Sequence, residues 1–218
     1  MGQRIFWSNV GVDVQTGLSD AISISNISKA SPGLVTYSGT PATAPQNGDY
    51  ILLQVQGMNQ VSERLFRVSE FNGTNKTFKL EGEDTTTYDT FISGTARIVT
   101  FGASFDSVQN IQVSGGEYEK ADLTTIHDAV KKQAPTVASP MSLSMTNYFD
   151  LTDPGFVECN KAYKSKTTRA FRLRFGAGAK MAFVGYVGAA GVPTGQVQQA
   201  VMTPVTIDTQ NMPSVWAS

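Results

Sequence analysis

Residues 167–188 read "TTRAFRLRFGAGAKMAFVGYVG". A run with apolar residues at alternate positions, a turn of small residues and a second, almost continuously apolar run read as two antiparallel strands joined by a hairpin. In the first run Phe171, Leu173 and Phe175 share one strand face, while Ala170, Arg172 and Arg174 take the other, so the arginines need not enter the core. "FGAGAK", 175–180, superficially resembles a phosphate loop, but the spacing G-x-x-x-x-G-K-[ST] fails and no Ser or Thr follows Lys180. It is better read as the hairpin turn.

The same period of two recurs along the chain in "YILLQVQG", "RLFRVSEF", "KTFKLEGE", "ARIVTFG", "NIQVSGG" and "MSLSMT", separated by Gly, Ser and Thr. Turn signals spaced at roughly ten residues suit a β-sandwich or barrel rather than alternating βα units. The expected fold class is therefore mainly β, with one or two short helices. "DLTTIHDAVKKQA", 122–134, offers Asp122 or Thr124 as a cap, Ile126, Ala129 and Val130 on one helical face, and Pro135 as a stop. "DPGFVECNKAYKSK" offers Asp153 as cap, Pro154 in the first turn, and Phe156, Val157 and Ala162 as apolar positions.

Composition narrows the function classes. With 218 residues, 40% hydrophobic and 16% charged, the chain can bury one substantial core or two small ones. Seventeen Lys and Arg against eighteen Asp and Glu give a net charge of -1, which argues against whole-protein electrostatic attachment to nucleic acid or an anionic membrane. No run approaches the about 18 apolar residues that span a bilayer, and "MGQRIFWSNVGVDVQTG" lacks the apolar core of a signal peptide. Assembly in a cytoplasm is the expectation, and the sequons at Asn26, Asn72 and Asn75 read as chance.

Candidate chemistry is sparse. Cys159 and His127 stand alone of their kinds, so neither a disulfide nor a Cys/His zinc site can be built within the chain. Cys159, beside Glu158, reads as a small buried residue and His127 as a helix-surface residue; Asp150 and Asp153 in "YFDLTDPG" read as turn and cap residues rather than an acid–base pair. No catalytic residue, cofactor or metal is expected.

Charge is nevertheless sorted. Lys161, Lys164, Lys166, Arg169, Arg172, Arg174 and Lys180 fall in a stretch without an acid, whereas Glu117, Glu119, Asp122 and Asp128 cluster elsewhere. Separated patches of opposite sign can make a chain self-complementary in head-to-tail assembly. Between about residues 24 and 102 hairpin follows hairpin, with Asn72-Gly73 as a turn signal. This segment reads as a small β-module inserted between residues 1–23 and 103–218.

The order of segments resembles the tail tube proteins of long-tailed bacteriophages, the lambda-like siphophage type. The resemblance is carried by "FDSVQNIQVSGGEYEKADLTTIHDAVKKQAP", by "DPGFVECNKAYKSKTTRAFRLRFGAGAKMAFVGYVGAAG", by the closing "QQAVMTPVTIDTQN" and by "VGVDVQTGLSDAISIS" near the start. It covers residues 1–23 and 103–218 as a tail tube domain. The inserted part, above all "NGDYILLQVQGMNQVSERLFRVSEF", resembles a small β-barrel module of phage structural proteins and of the ubiquitin-activating enzyme; with no cysteine between 24 and 102, nothing catalytic carries over.

The resemblance implies a structural virion protein: homohexameric rings stacked into a tube around a tape-measure protein, bounded by tail terminator and tail-tip proteins. DNA would be present only in transit through the lumen, with no membrane partner, and the inserted module would sit on the tube exterior. On this reading Arg172 and Arg174 meet Glu117, Glu119 or Asp122 of a neighbouring subunit, and reversing both arginines abolishes polymerisation while leaving the monomer folded. Phe6 and Trp7 are candidates for docking onto the next ring. The rivals are the inner tube of a contractile tail or secretion apparatus, a carbohydrate-binding β-sandwich, for which Trp7 and Trp216 lie unhelpfully at the chain ends, and a small hydrolase using His127 with Asp128 or Cys159.

Overall fold

A computed structural model describes residues 10–176, 178–189 and 191–217. The alternating runs become strands β1 (Gly11–Leu18), β2 (Ile22–Ile27), β3 (Leu34–Tyr37), β4 (Tyr50–Gln56), β5 (Leu65–Asn72), β6 (Thr77–Leu80), β7 (Ser93–Phe105) and β8 (Val108–Ser114). They continue as β9 (Tyr118–Asp122), β10 (Gln133–Ala138), β11 (Ser142–Tyr148), β12 (Thr168–Arg174), β13 (Lys180–Gly188), β14 (Met202–Thr209) and β15 (Ser214–Trp216), with helix α1 (Pro154–Ser165) between β11 and β12. The fold is mainly β, as expected.

Strands β2, β3, β6, β5, β4 and β7 follow one another in that order, and pairing of β2 with β7 closes them into a six-stranded barrel. Closure removes the unpaired backbone edge that an open sheet would present. Ile51, Leu53, Phe66, Phe78 and Leu80 fill its interior. The outer half of β7 then leaves the barrel and starts a second, open sheet in the order β7, β1, β12, β13, β14, β11, β8. Since β7 crosses residue 102 without interruption, the backbone passes from barrel to sheet with no linker there.

One face of the open sheet buries Val12, Val14, Leu143, Met145, Leu173, Val205 and Ile207, with the paired Phe171 and Phe183 rings stacked at 5.7 Å. Helix α1 covers this face with Phe156, Cys159 and Ala162. Its start is set by Asp153: Oδ1 accepts from the Phe156 backbone N–H at 3.0 Å, while Oδ2 accepts from the Asp106 N–H at 3.0 Å and the Ser107 hydroxyl at 3.2 Å. One buried carboxylate thus caps the helix and ties it to the β7–β8 turn. The approach is close enough that a Cβ on Gly155 would lie 2.7 Å from the Phe105 ring.

The other expected helix does not form. Residues 122–134 end β9, cross an exposed loop and begin β10, and Pro135 lies within that strand. Thr124 and Thr125 donate to nearby carboxylates instead: Asp122 Oδ1 accepts the Thr124 N–H at 2.9 Å, and Asp128 Oδ2 accepts the Thr125 N–H at 3.0 Å and its hydroxyl at 2.9 Å. Such local bonds compete with the helical ladder. Among the described residues the apolar stripe also finds no core to cover, Ile126 being 97% exposed.

A third cluster joins the two bodies. Tyr50, Leu65 and Val99 of the barrel pack with Ala170, Ala182, Val184 and Trp216 on the face of the open sheet opposite to α1.

Candidate assembly surface

The hairpin made by β9 and β10 is a separate two-stranded sheet. Gly115 and Gly116 start it with φ of +78° and +82°, a left-handed turn where a Cβ on Gly115 would also strike the Pro140 carbonyl oxygen at 2.2 Å. Bonds from Gly116 N–H to Ser139 O, Ser139 N–H to Glu117 O and Leu123 N–H to Lys132 O hold it shut, and Lys132 pairs with Asp128 at the tip. Yet Tyr118, Leu123, Ile126, Val130 and Val137 are all exposed. An isolated two-stranded ribbon is marginal in water, and a row of exposed apolar side chains marks a contact surface.

Other apolar side chains are exposed at the far end of the same strands. β11 runs from Ser142, beside the hairpin base, to Tyr148; there Tyr148, Phe149, Leu151 and Val201 are exposed, together with Val197 in the loop before β14. The two apolar surfaces therefore lie at opposite ends of β11. Identical surfaces would suit a two-fold dimer, whereas different surfaces at opposite ends suit head-to-tail repetition. β8 adds an open sheet edge, with Val113 exposed.

The face of this sheet turned away from the core has a distinct chemistry. Ser142, Ser144 and Thr146 of β11 align with Asp208, Thr206 and Pro204 of β14 and with Ser114, Gln112 and Asn110 of β8. Asp208 is the one charged residue of the set.

The arginines are placed differently from expectation. Asp13, in β1 and 3% exposed, accepts from Arg172 Nε at 2.8 Å, Arg174 Nε at 2.7 Å, Arg174 Nη2 at 2.9 Å and the Ser104 hydroxyl at 2.8 Å. Burial alone would push its carboxyl pKa up; the bonds from Arg174, Ser104 and Arg172 outweigh it and hold the group below its ordinary value. Arg172 also lies over the Tyr50 and Phe101 rings, 5.1 Å and 4.7 Å from their centroids. The acid missing from residues 161–180 thus comes from β1. Reversing both arginines would set two carboxylates against buried Asp13, so the monomer would not stay intact as first expected.

Glu117 at the foot of the hairpin and Glu119 and Asp122 in β9 are all exposed. Phe6 and Trp7 lie outside the described residues. Three of the other five cations serve local roles: Lys161 pairs with Glu158 at 2.6 Å, Lys166 forms the left-handed cap of α1 at φ +53°, and Arg169 donates to Thr167 Oγ1 at 2.8 Å.

The candidates for chemistry stay apart. His127 is exposed in the hairpin loop, and Cys159 is fully buried under the sheet, where burial and the nearby Asp153 charge push its thiol pKa up. Between β12 and β13, Phe175 N–H donates to Ala179 O and Gly178 N–H to Phe175 O, both at 2.9 Å, with Gly178 at φ +92°. Among the described residues no group of acids, His and Cys could hold a metal ion, and no helix is long and apolar enough to cross a membrane.

Sequence reasoning missed Asp13 as a structural centre. Its one signal was an acid between Val12 and Val14, on the same face as Gln15. A family model described as "Phage tail tube protein, TTP" matches residues 56–218, and no curated protein matches the chain.

Proposed function

The chain belongs to the phage tail tube protein family and is a structural component of the virion tail, and from that premise we propose that it forms the hexameric rings of a lambda-like siphophage tail. The rings stack into a tube around a tape-measure protein, between terminator and tip proteins, and the tube later conducts DNA into the host. Assembly takes place in the host cytoplasm. Residues 24–102 are a module inserted into a tube domain made of 1–23 and 103–218, carried on the tube exterior.

The observation that carries this reading is the apolar hairpin, whose tip residue Ile126 is 97% exposed among the described residues. It docks on a neighbouring copy; Glu117, Glu119 and Asp122 flank it as polar contacts, and Phe6 and Trp7 reach the next ring. Arg174, half exposed beyond Asp13, is the arginine that can still meet a neighbour's acid, and Arg172 reaches the interface only through it. A channel lined by neutral or mildly acidic side chains would neither hold phosphates nor release counterions, so DNA could slide.

Negative-stain electron microscopy of concentrated protein tests the reading. Hollow six-fold rings or tubes are expected for the wild type. Ile126→Asp with Val130→Asp should leave a folded monomer that forms neither. Tubes from the double variant would sink the hairpin assignment, and wild-type monomers at every concentration, with none of the protein in virion rings, would sink the tube reading itself.

A further inference from the structure

We propose that Asn211–Trp216 is a clasp that fixes the barrel's orientation on the open sheet. The chain passes between the two bodies twice, from Leu18 to Ile22 and along β7, and these passages lie side by side because β1 pairs with β7 up to Leu18 and Val99. Two adjacent passages make a hinge line. A third attachment is needed to stop rotation about it.

The segment Asn211–Trp216 supplies that attachment by bonding to both bodies at once. On the sheet side β15 pairs with β13 in the register Lys180↔Trp216, Met181↔Val215, Ala182↔Ser214. On the barrel side Asn211 Nδ2 donates to Ser62 O at 2.7 Å, and Trp216 Nε1 donates to Glu81 O at 3.0 Å. Arg64 Nη2 reaches Ser214 Oγ at 3.4 Å. Ser62 sits beside Val55, at the end of β4 away from the hinge, as its hydroxyl accepts the Val55 N–H at 3.1 Å.

Trp216 is 4% exposed and meets the Tyr50 ring edge-on at 5.5 Å, its indole filling the seam between the bodies. The barrel end of the contact is stiffened independently of the clasp. Arg64 is held by both carboxylate oxygens of Glu83, at 2.5 Å and 3.1 Å, and Tyr88 donates to the same carboxylate at 2.7 Å. Each body keeps its own closed core, Ile51–Phe66–Phe78 in one and Phe171–Phe183–Ile207 in the other. Opening the clasp therefore leaves the barrel held beyond the hinge only by Tyr50 and Leu65 on Ala170, Ala182 and Val184 and by Arg172 over the Tyr50 ring, so that it swings more widely while both cores stay folded.

Hydrogen exchange on the hairpin-blocked monomer, Ile126→Asp with Val130→Asp, tests this without interference from assembly. Adding Trp216→Ala should raise exchange at residues 62–65, 81–83 and 180–182 by about tenfold or more, with β4, β6, β11 and β14 at parental rates. X-ray scattering should report a larger maximum dimension. Trp216→Phe, which keeps the ring contact and loses the bond to Glu81, should fall between. Loss of protection in both cores together would overturn the proposal by making Trp216 part of one cooperative core, and parental exchange throughout would overturn it by leaving the segment without a holding role. If Trp216→Ala does not fold, Asn211→Ala with Ser214→Ala decides between the same outcomes.

Discussion

Replacing Asp13 by Ala removes the acceptor shared by two arginines. Arg172 is the partner that suffers, its side chain being 22% exposed and held between the Tyr50 and Phe101 rings, whereas Arg174 at 48% can turn to water. Removing one partner of a buried ion pair costs about 3–5 kcal/mol, because the other charge is left unpaired. The exposure of Arg174 and the aromatic faces around Arg172 place the expectation at the lower end, about 3 kcal/mol. For a chain of this size each kcal/mol moves Tm by about 2–4 °C, so a fall of about 6–12 °C is expected in calorimetry of the monomer. Arg174→Ala should cost less than about 1 kcal/mol, as exposed pairs do. An Asp13→Ala variant within about 1 kcal/mol of wild type, or an Arg174→Ala variant as damaged as Asp13→Ala, would refute the reasoning.

The same carboxylate predicts a pH dependence: its folded pKa lies below the ordinary 3.8, so its contribution is complete above that value and is lost as pH falls through the lower folded pKa. Acid titration of stability below about pH 4 should be steeper for wild type than for Asp13→Asn. Asp153→Ala should lose about 2 kcal/mol, the upper end for a helix cap, since the same side chain also holds Asp106 and Ser107; urea unfolding followed by circular dichroism measures it. Gly155→Ala should cost about 1–3 kcal/mol by driving a methyl into Phe105, read by the same unfolding curves. Cys159 should resist a thiol reagent in the native protein and react at once in denaturant, its burial and raised pKa both withholding the thiolate.

By itself the sequence determined the strands. "AFRLRF" alternates, and a period of two admits one assignment of faces, so Phe171 and Leu173 were legible as core and Arg172 as outside it, whereas "MAFVGYV" is apolar almost throughout because both its faces are buried, Phe183 towards α1 and Ala182 and Val184 towards the barrel. The Asp153-Pro154 helix start was legible for the same local reason, a cap and a fixed φ acting within one turn of chain. Segment 122–134 carried an equally regular stripe, but a stripe stabilises a helix only when a surface waits to receive it, and Ile126 meets none among the described residues. Only the tertiary structure decided which strands are neighbours. That choice set Asp13 between Arg172 and Arg174, turned a basic stretch into a neutralised cluster, and brought Trp216 to the seam beside Tyr50. Strand pairing across most of the chain is chosen by the summed burial of whole faces, and no short stretch of sequence contains that sum.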